Sequence, residues 1–503
     1  MPPLAKALWV LFGVIMAAAG VGACIFCTLV LAGHKGNIGQ CKWELDETGT
    51  LVISGQGSTS GVADMTIGVT KISRDDILRV EIREGVTDIP AKAFDGCDFL
   101  QYVSIPSSVE TIGDYAFTRC GNLAAIEVSP NNQNYCSIDG DLYDKNVTKL
   151  ITYASGKEEV TEYTFPETVT SVGNEAFHSS IYLQTVNIGK DISDLGNFAF
   201  YDCWNLANVN LDPENAYYLS DENVLYNPNK TELIYYAPGN INTEFKVPGT
   251  VRVISNGAFC NAAYLENITL PSKLKRIGTA AFSGCSMLGS LQIPEECLHI
   301  GDGILAYCGN LASVSLPSGM DSIPRNMFWG CTSITDIDIP DGVTSIGDGA
   351  FACCRSLVSI DIPAEVISIG NNAFGFCDCL TSVDLPDGID KIDDYAFSNC
   401  SGLTEIVIPA NVASIGYASF RGCTGLTEVT VPDTVASIGD YAFYGCSNIR
   451  SFTIGSGVKS IGIGAFNGCT ALSDVSLASG QAGWDKISVG KENEPLTAAV
   501  KSK

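Results

Sequence analysis

The sequence predicts a mostly β solenoid of about 14 coils, and three observations carry that prediction. An anchor, usually Ala-Phe, recurs every 23 residues; a short apolar alternation closed by proline precedes most anchors; and a cysteine follows most of them by three residues. The anchors are Phe94, Phe117, Phe177, Phe200, Phe259, Phe282, Leu305, Phe328, Phe351, Phe374, Phe397, Phe420, Phe443 and Phe466. From Phe259 to Phe466 the period runs nine times without insertion or deletion. One such unit cannot bury its own apolar face, whereas stacked units can.

The chain opens with a short tail, residues 1–6, and an uncharged run over 7–33. That run exceeds the roughly 20 residues needed to cross a bilayer and predicts a signal anchor, one transmembrane helix with the repeats displayed outside the cell. Two alternatives stay open at this point. Val30, Leu31 and Ala32 would pass as a signal-peptide cleavage site, giving a secreted protein, and Val21 to Cys24 resembles a lipobox. Residues 41–77 follow as an N-terminal β cap: Trp43, Leu45, Leu51 and Ile53 alternate across the turn residues Asp46 to Gly49, the pattern of a hairpin. Such a cap would shield the first coil's apolar end.

Residues 78–478 hold the repeats. In a representative unit Leu403, Ile406 and Ile408 alternate as a half-buried strand, and Pro409 ends it because proline cannot donate to a ladder. Val412 to Ile415 then predicts an opposite wall, and Ser419 with Phe420 turns inward. "LTEIVIPANVASIGYASFRGCTG" and "LTEVTVPDTVASIGDYAFYGCSN" resemble the BspA-type leucine-rich repeat family, whose unit reads L-x-x-[IV]-x-[IL]-P-x-x-[VI]-x-x-I-G-x-x-A-F-x-x-C. The resemblance implies a right-handed leucine-rich-repeat solenoid and a cell-surface adhesin or binding protein. Two islands break the period, at about 130–160 and 212–244, and each predicts a two-stranded excursion, Leu142 and Tyr143 against Leu150 to Tyr153, and Leu225 and Tyr226 against Leu233 to Tyr236. They are expected to decorate an edge. Residues 479–503 should close the far end through Trp484, Ile487 and Val489 and then run out as a loose tail.

Twelve of the 20 cysteines sit three residues after an anchor, a position-bound pattern that favours packing as free thiols over bridges. The three histidines have no metal-binding spacing, and the chain lacks G-x-S-x-G, P-loop and G-x-G-x-x-G motifs, so no enzyme is predicted and no cofactor is required. With 29 Lys plus Arg against 56 Asp plus Glu, a net charge of −27 argues against nucleic acid as a partner.

Function is therefore sought on the outward positions of the strands. Tyr102, Asn187, Asn208, Asn210 and Asn267 form an amide and hydroxyl half, and Asp336, Asp338, Asp361, Asp384, Glu405 and Glu428 an acidic half. Asp338, Asp361 and Asp384 share one register position, which makes calcium a conceivable ligand. The expected function is binding or adhesion to an extracellular protein or glycan, with a passive envelope component as the alternative.

Overall fold

The computed structural model describes residues 34–59 and 73–501. The predicted membrane helix at 7–33 and the tail at 1–6 lie outside the described residues. Among the described residues no helix is long and apolar enough to cross a membrane.

The chain folds as a mostly β solenoid of about 17 turns with few helices. It divides into two compact units, one of residues 34–59, 73–161, 165–182 and 191–203, the other of 162–164, 183–190 and 204–501. In most coils a face strand and a short wall strand enclose the anchor. Wall pairs such as Ser345↔Ser368 and Ile346↔Ile369 are parallel and in register. The anchors stack: Phe351, Phe374, Phe397 and Phe420 have successive ring centroids 5.3, 5.4 and 5.5 Å apart with planes within 7° of parallel. All four are completely buried.

The cysteine column has a polar duty as well as a packing one. Cys120, Cys203, Cys285, Cys308, Cys331, Cys354, Cys377, Cys400, Cys423, Cys446 and Cys469 each donate S–H to the carbonyl of the preceding coil's anchor, at 3.0–3.2 Å. A thiol is small enough for this slot and supplies a weak donor to a carbonyl that water cannot reach. Burial pushes Cys308, Cys354 and Cys400 up to about 12, so they stay protonated, donating and unreactive. Among the described residues no disulfide joins the cysteines.

The count of 14 coils is too low, because each island contributes one. Lys149–Thr152 and Glu232–Tyr236 pair in parallel with the next wall strands, Ser171–Val172 and Val253–Ile254. Tyr153 and Tyr236 stand where an anchor belongs: their amides donate to Ala176 and Ala258 at 2.8 and 2.7 Å, as Phe94 does to Ala116, and their rings stack on Phe177 and Phe259. The wall strand Ser488–Val489 adds the last turn. The islands are therefore part of the stack rather than decorations on it. Each is also three-stranded, since Tyr135–Ile138 and Leu219–Asp221 join the predicted pairs. Both hairpins close through two-residue loops with positive φ at both positions, Asp139-Gly140 and Glu222-Asn223, the turn whose twist suits a hairpin.

At the amino end Trp43 pairs with Ile53 and Leu45 with Leu51, and Thr50–Gly55 continues in parallel into Arg79–Ile82. A third strand, His34–Ile38, lies beyond them, where Gly36 leaves room for the Trp43 indole that a Cβ would meet at 2.6 Å. The carboxyl end is not a loose tail. Glu494–Lys501 is a helix with Leu496 fully buried, and Asn493 accepts from the Phe466 amide at 2.9 Å while donating to Gly462 and Gly490. Its amide stands in for the missing next coil and satisfies the last anchor.

Candidate binding face

Strand alternation is what presents the predicted face. Along each face segment the apolar residues turn inward and their neighbours outward, so Val186 and Val209 are buried between exposed or half-exposed partners. In the first unit Tyr102 is the centre of a small polar assembly: its hydroxyl donates to the Glu127 carboxylate and the Arg79 guanidinium lies 4.2 Å from its ring centroid. Burial and the Glu127 bond push the Tyr102 phenol up to about 12.

In the second unit the strands Glu162–Thr164, Thr185–Ile188 and Asn208–Leu211 pair in parallel register. That register lines up an amide ladder. Asn187 donates to Glu162 Oε1 at 2.7 Å and Thr164 Oγ1 at 2.8 Å, and accepts from Asn210 Nδ2 at 2.8 Å. Asn208 donates to Thr185 Oγ1 at 3.4 Å. Asn267 is exposed in a separate sheet, opposite Glu244 and Ser290.

The acidic half keeps the coil register but lacks the strand ladder. In-register stacking of Asp338, Asp361 and Asp384 would hold like charges about 4.8 Å apart, at a cost of about 3 kcal/mol per contact for an effective dielectric near 20. The face strands end at Ser313–Ser315 and resume at Glu428–Thr430, and the segments carrying Asp336, Asp338, Asp361, Asp384 and Glu405 form no ladder. Single backbone bonds, Val358 to Thr335 at 2.9 Å, Thr381 to Val358 at 3.1 Å and Thr404 to Thr381 at 3.0 Å, keep these coils aligned. The wall strands opposite, Ser322–Ile323, Ser345–Ile346 and Ser368–Ile369, stay paired. The carboxylates are exposed. Among the described residues no three His, Cys, Asp or Glu side chains converge to hold a metal, so the three aspartates are not gathered into a calcium site.

Sequence reasoning missed one further feature. In the first unit a cavity of about 280 Å³ opens beside the first island, its lining including Tyr115, Tyr135, Tyr153, Asp144, Glu175 and His178. His178 Nε2 lies 3.9 Å from Glu175 Oε2 and from Asp202 Oδ2, and its Nδ1 is 2.8 Å from Ser179 Oγ. Burial lowers the His178 pKa and raises that of Glu175, which the nearby Asp95 raises further. The imidazole is thus kept neutral. The signal that could have found this place is the spacing of Tyr153 from Phe177, 24 residues, one coil within a gap that holds more than one.

The family model described as BspA type leucine rich repeat region (6 copies) matches residues 67–151, 148–243, 233–355, 321–419 and 390–483. Among solved structures, a leucine-rich repeat protein from Eubacterium ventriosum is 25% identical, covering 78% of this chain and 95% of its own, with a TM-score of 0.42. One from Bacteroides ovatus is 22% identical over 91% of this chain and 99% of its own, with a TM-score of 0.45. A leucine-rich cell surface protein from Faecalibacterium prausnitzii is 20% identical over 90% and 97%, with a TM-score of 0.39. No curated protein matches the chain.

Proposed function

Because the chain belongs to the BspA-type leucine-rich repeat family, we propose that it is a cell-surface scaffold that binds an extracellular protein or glycan and mediates adhesion. The amide ladder of Asn187 and Asn210 over three adjacent strands carries this reading. It puts hydrogen-bond donors and acceptors on rigid, exposed strands over a packed core, so little ordering entropy remains to be lost on binding. The uncharged run at 7–33 supports display from a membrane. A passive shielding component would need no such face.

Glycan and matrix-protein arrays probed with residues 34–503 would identify the ligand. Replacing Asn208, Asn210 and Asn267 together by Trp should then abolish capture while leaving the melting temperature within a few degrees. Capture that survives these substitutions would move the site elsewhere, and arrays without a hit would favour the passive reading. Membrane fractionation of the full-length protein tests the anchor. Release into medium with an amino terminus at or beyond Gly33 would replace it by a cleaved signal.

A further inference from the structure

Two positions of most coils, two residues before and two after the anchor, hold the backbone at φ of about +50 to +80. Glycine or asparagine enters that region cheaply and fills it in many coils, as Gly349, Gly464 and Asn372 do before the anchor and Gly330, Gly422 and Asn399 after it. Tyr395 (φ 57), Tyr441 (φ 55) and Phe376 (φ 60) occupy the same positions. A bulky side chain here strains the backbone, and burial does not compensate, since Tyr395 is 39% and Phe376 42% exposed. The strain belongs to the coil geometry, since Lys92, Tyr115, Glu175, Phe198 and Tyr307 share these positions, and at Tyr395 it falls on a ring that stays at the surface.

These residues lie in the second unit, where the tyrosines form one continuous edge. Ring centroids are 5.2 Å apart for Tyr395 and Tyr417, 5.7 Å for Tyr417 and Tyr441, and 5.9 Å for Tyr441 and Tyr444, each pair edge to face. Tyr417 and Tyr444 are also exposed. The electron-rich faces of such rings attract cations, and one is already used in this way: the Arg421 guanidinium carbon lies 5.2 Å from the Tyr444 centroid. The rim is acidic. Asp394 Oδ1 accepts from the Tyr417 amide at 2.7 Å and Asp440 Oδ1 from the Ile463 amide at 2.6 Å, so both carboxylates are fixed beside the rings. The nearby Lys391 is paired with Asp393 at 2.7 Å. A second copy of this chain would bring another net charge of −27 to the same surface.

We propose that the tyrosine edge of the second unit docks an extended Lys/Arg-rich segment of a partner protein, its cationic heads seated on the ring faces and neutralised by Asp394 and Asp440. The inference rests on the binding-scaffold reading and adds a partner class to it.

Fluorescence anisotropy of labelled nona-arginine and nona-lysine on residues 34–503 tests it, with a neutral Gly-Ser peptide as control. Saturable binding is expected, tighter for arginine, whose planar group stacks on aromatic faces. The triple variant Y395N/Y417S/Y444S changes no charge. It should weaken nona-arginine binding by at least about tenfold with an unchanged or raised melting temperature, because Y395N relieves strain. D394N/D440N keeps the backbone acceptors and should weaken binding and flatten its salt dependence. D338N/D361N/D384N removes three charges from the strand face and should change binding by less than about twofold. Absence of saturable binding, binding indifferent to the tyrosine and Asp394/Asp440 variants, or equal loss in the strand-face variant overturns the proposal. If the peptides fail while an array ligand still depends on the asparagine face, only this inference falls.

Discussion

The two hairpin islands are one device built twice with different fillings. Each is three-stranded, each turns through a two-residue loop with positive φ, and each ends in a tyrosine that takes an anchor's place. The sequence alignment that matches Leu142 and Tyr143 with Leu225 and Tyr226 also matches Asp141 with Val224 and Lys157 with Asn240. In the first island Asp141 is 2% exposed, accepts from the Ala154 amide at 2.8 Å and pairs with Lys157 at 2.6 Å. In the second, Val224 is fully buried instead. What the scaffold requires is the anchor ring and the turn, while the residue beneath the hairpin is free to be ionic or apolar. An ion pair there must recover the desolvation of both charges, whereas valine loses nothing on burial.

The largest effect should come from the anchors. Tyr236→Ala and Phe397→Ala are both expected to cost about 3–5 kcal/mol in denaturant unfolding, as truncation of buried aromatics does. A Tyr236→Ala cost below about 1 kcal/mol would return the islands to the status of decorations.

The ion pair comes next. Lys157→Met strands a buried carboxylate and should cost about 3–4 kcal/mol at pH 7. Converting the first island's filling into the second's, Asp141→Val with Lys157→Asn, removes the charge and should cost less than about 1 kcal/mol or stabilise. A double variant as damaged as the single one would mean that the first island needs its charge.

Titration sharpens the same contrast. Burial, opposed by Lys157, holds the Asp141 carboxyl at about 6, above its ordinary 3.8. Between those values the folded state retains a proton that the unfolded chain releases, so this group's stabilisation is fully present below about pH 4 and is lost as pH rises through 6. Relative to the Asp141→Val, Lys157→Asn variant, the wild type should lose about 2–3 kcal/mol between pH 4 and pH 7. A pH-independent difference would show that Lys157 offsets the burial in full. The smallest effect concerns the loops: Glu222 sits at φ 52 where the first hairpin has Asp139, and Glu222→Asn should stabilise by about 0.5–1 kcal/mol, read as a melting-temperature rise.

Much of this was legible in the chain. The alternation of Ile406 and Ile408, the wall at Ile415, the buried Phe420 and the cap pairing of Trp43 with Ile53 all follow from local pattern, because inward and outward directions are set by the backbone period itself. The carboxylate stripe was half legible. Its residues do point outward, yet whether a ladder forms beneath them depends on how each coil seats on the next, which no single unit contains. The helix at Glu494–Lys501 was hidden for a similar reason, since Leu496 gains its burial only from the coil it covers.

By itself the sequence determined the 23-residue period, the class of fold, the anchors and the column of thiols, because each is a covalent spacing repeated until only stacking can satisfy it. Tertiary structure alone decided that Tyr153 and Tyr236 complete the stack, that the cysteines cap the carbonyls of the coil before, and that a cavity opens beside the first island with His178 held neutral at its wall. Each of these depends on which atoms of one coil meet those of the next, and that is settled only when the coils are packed and water has been excluded from between them.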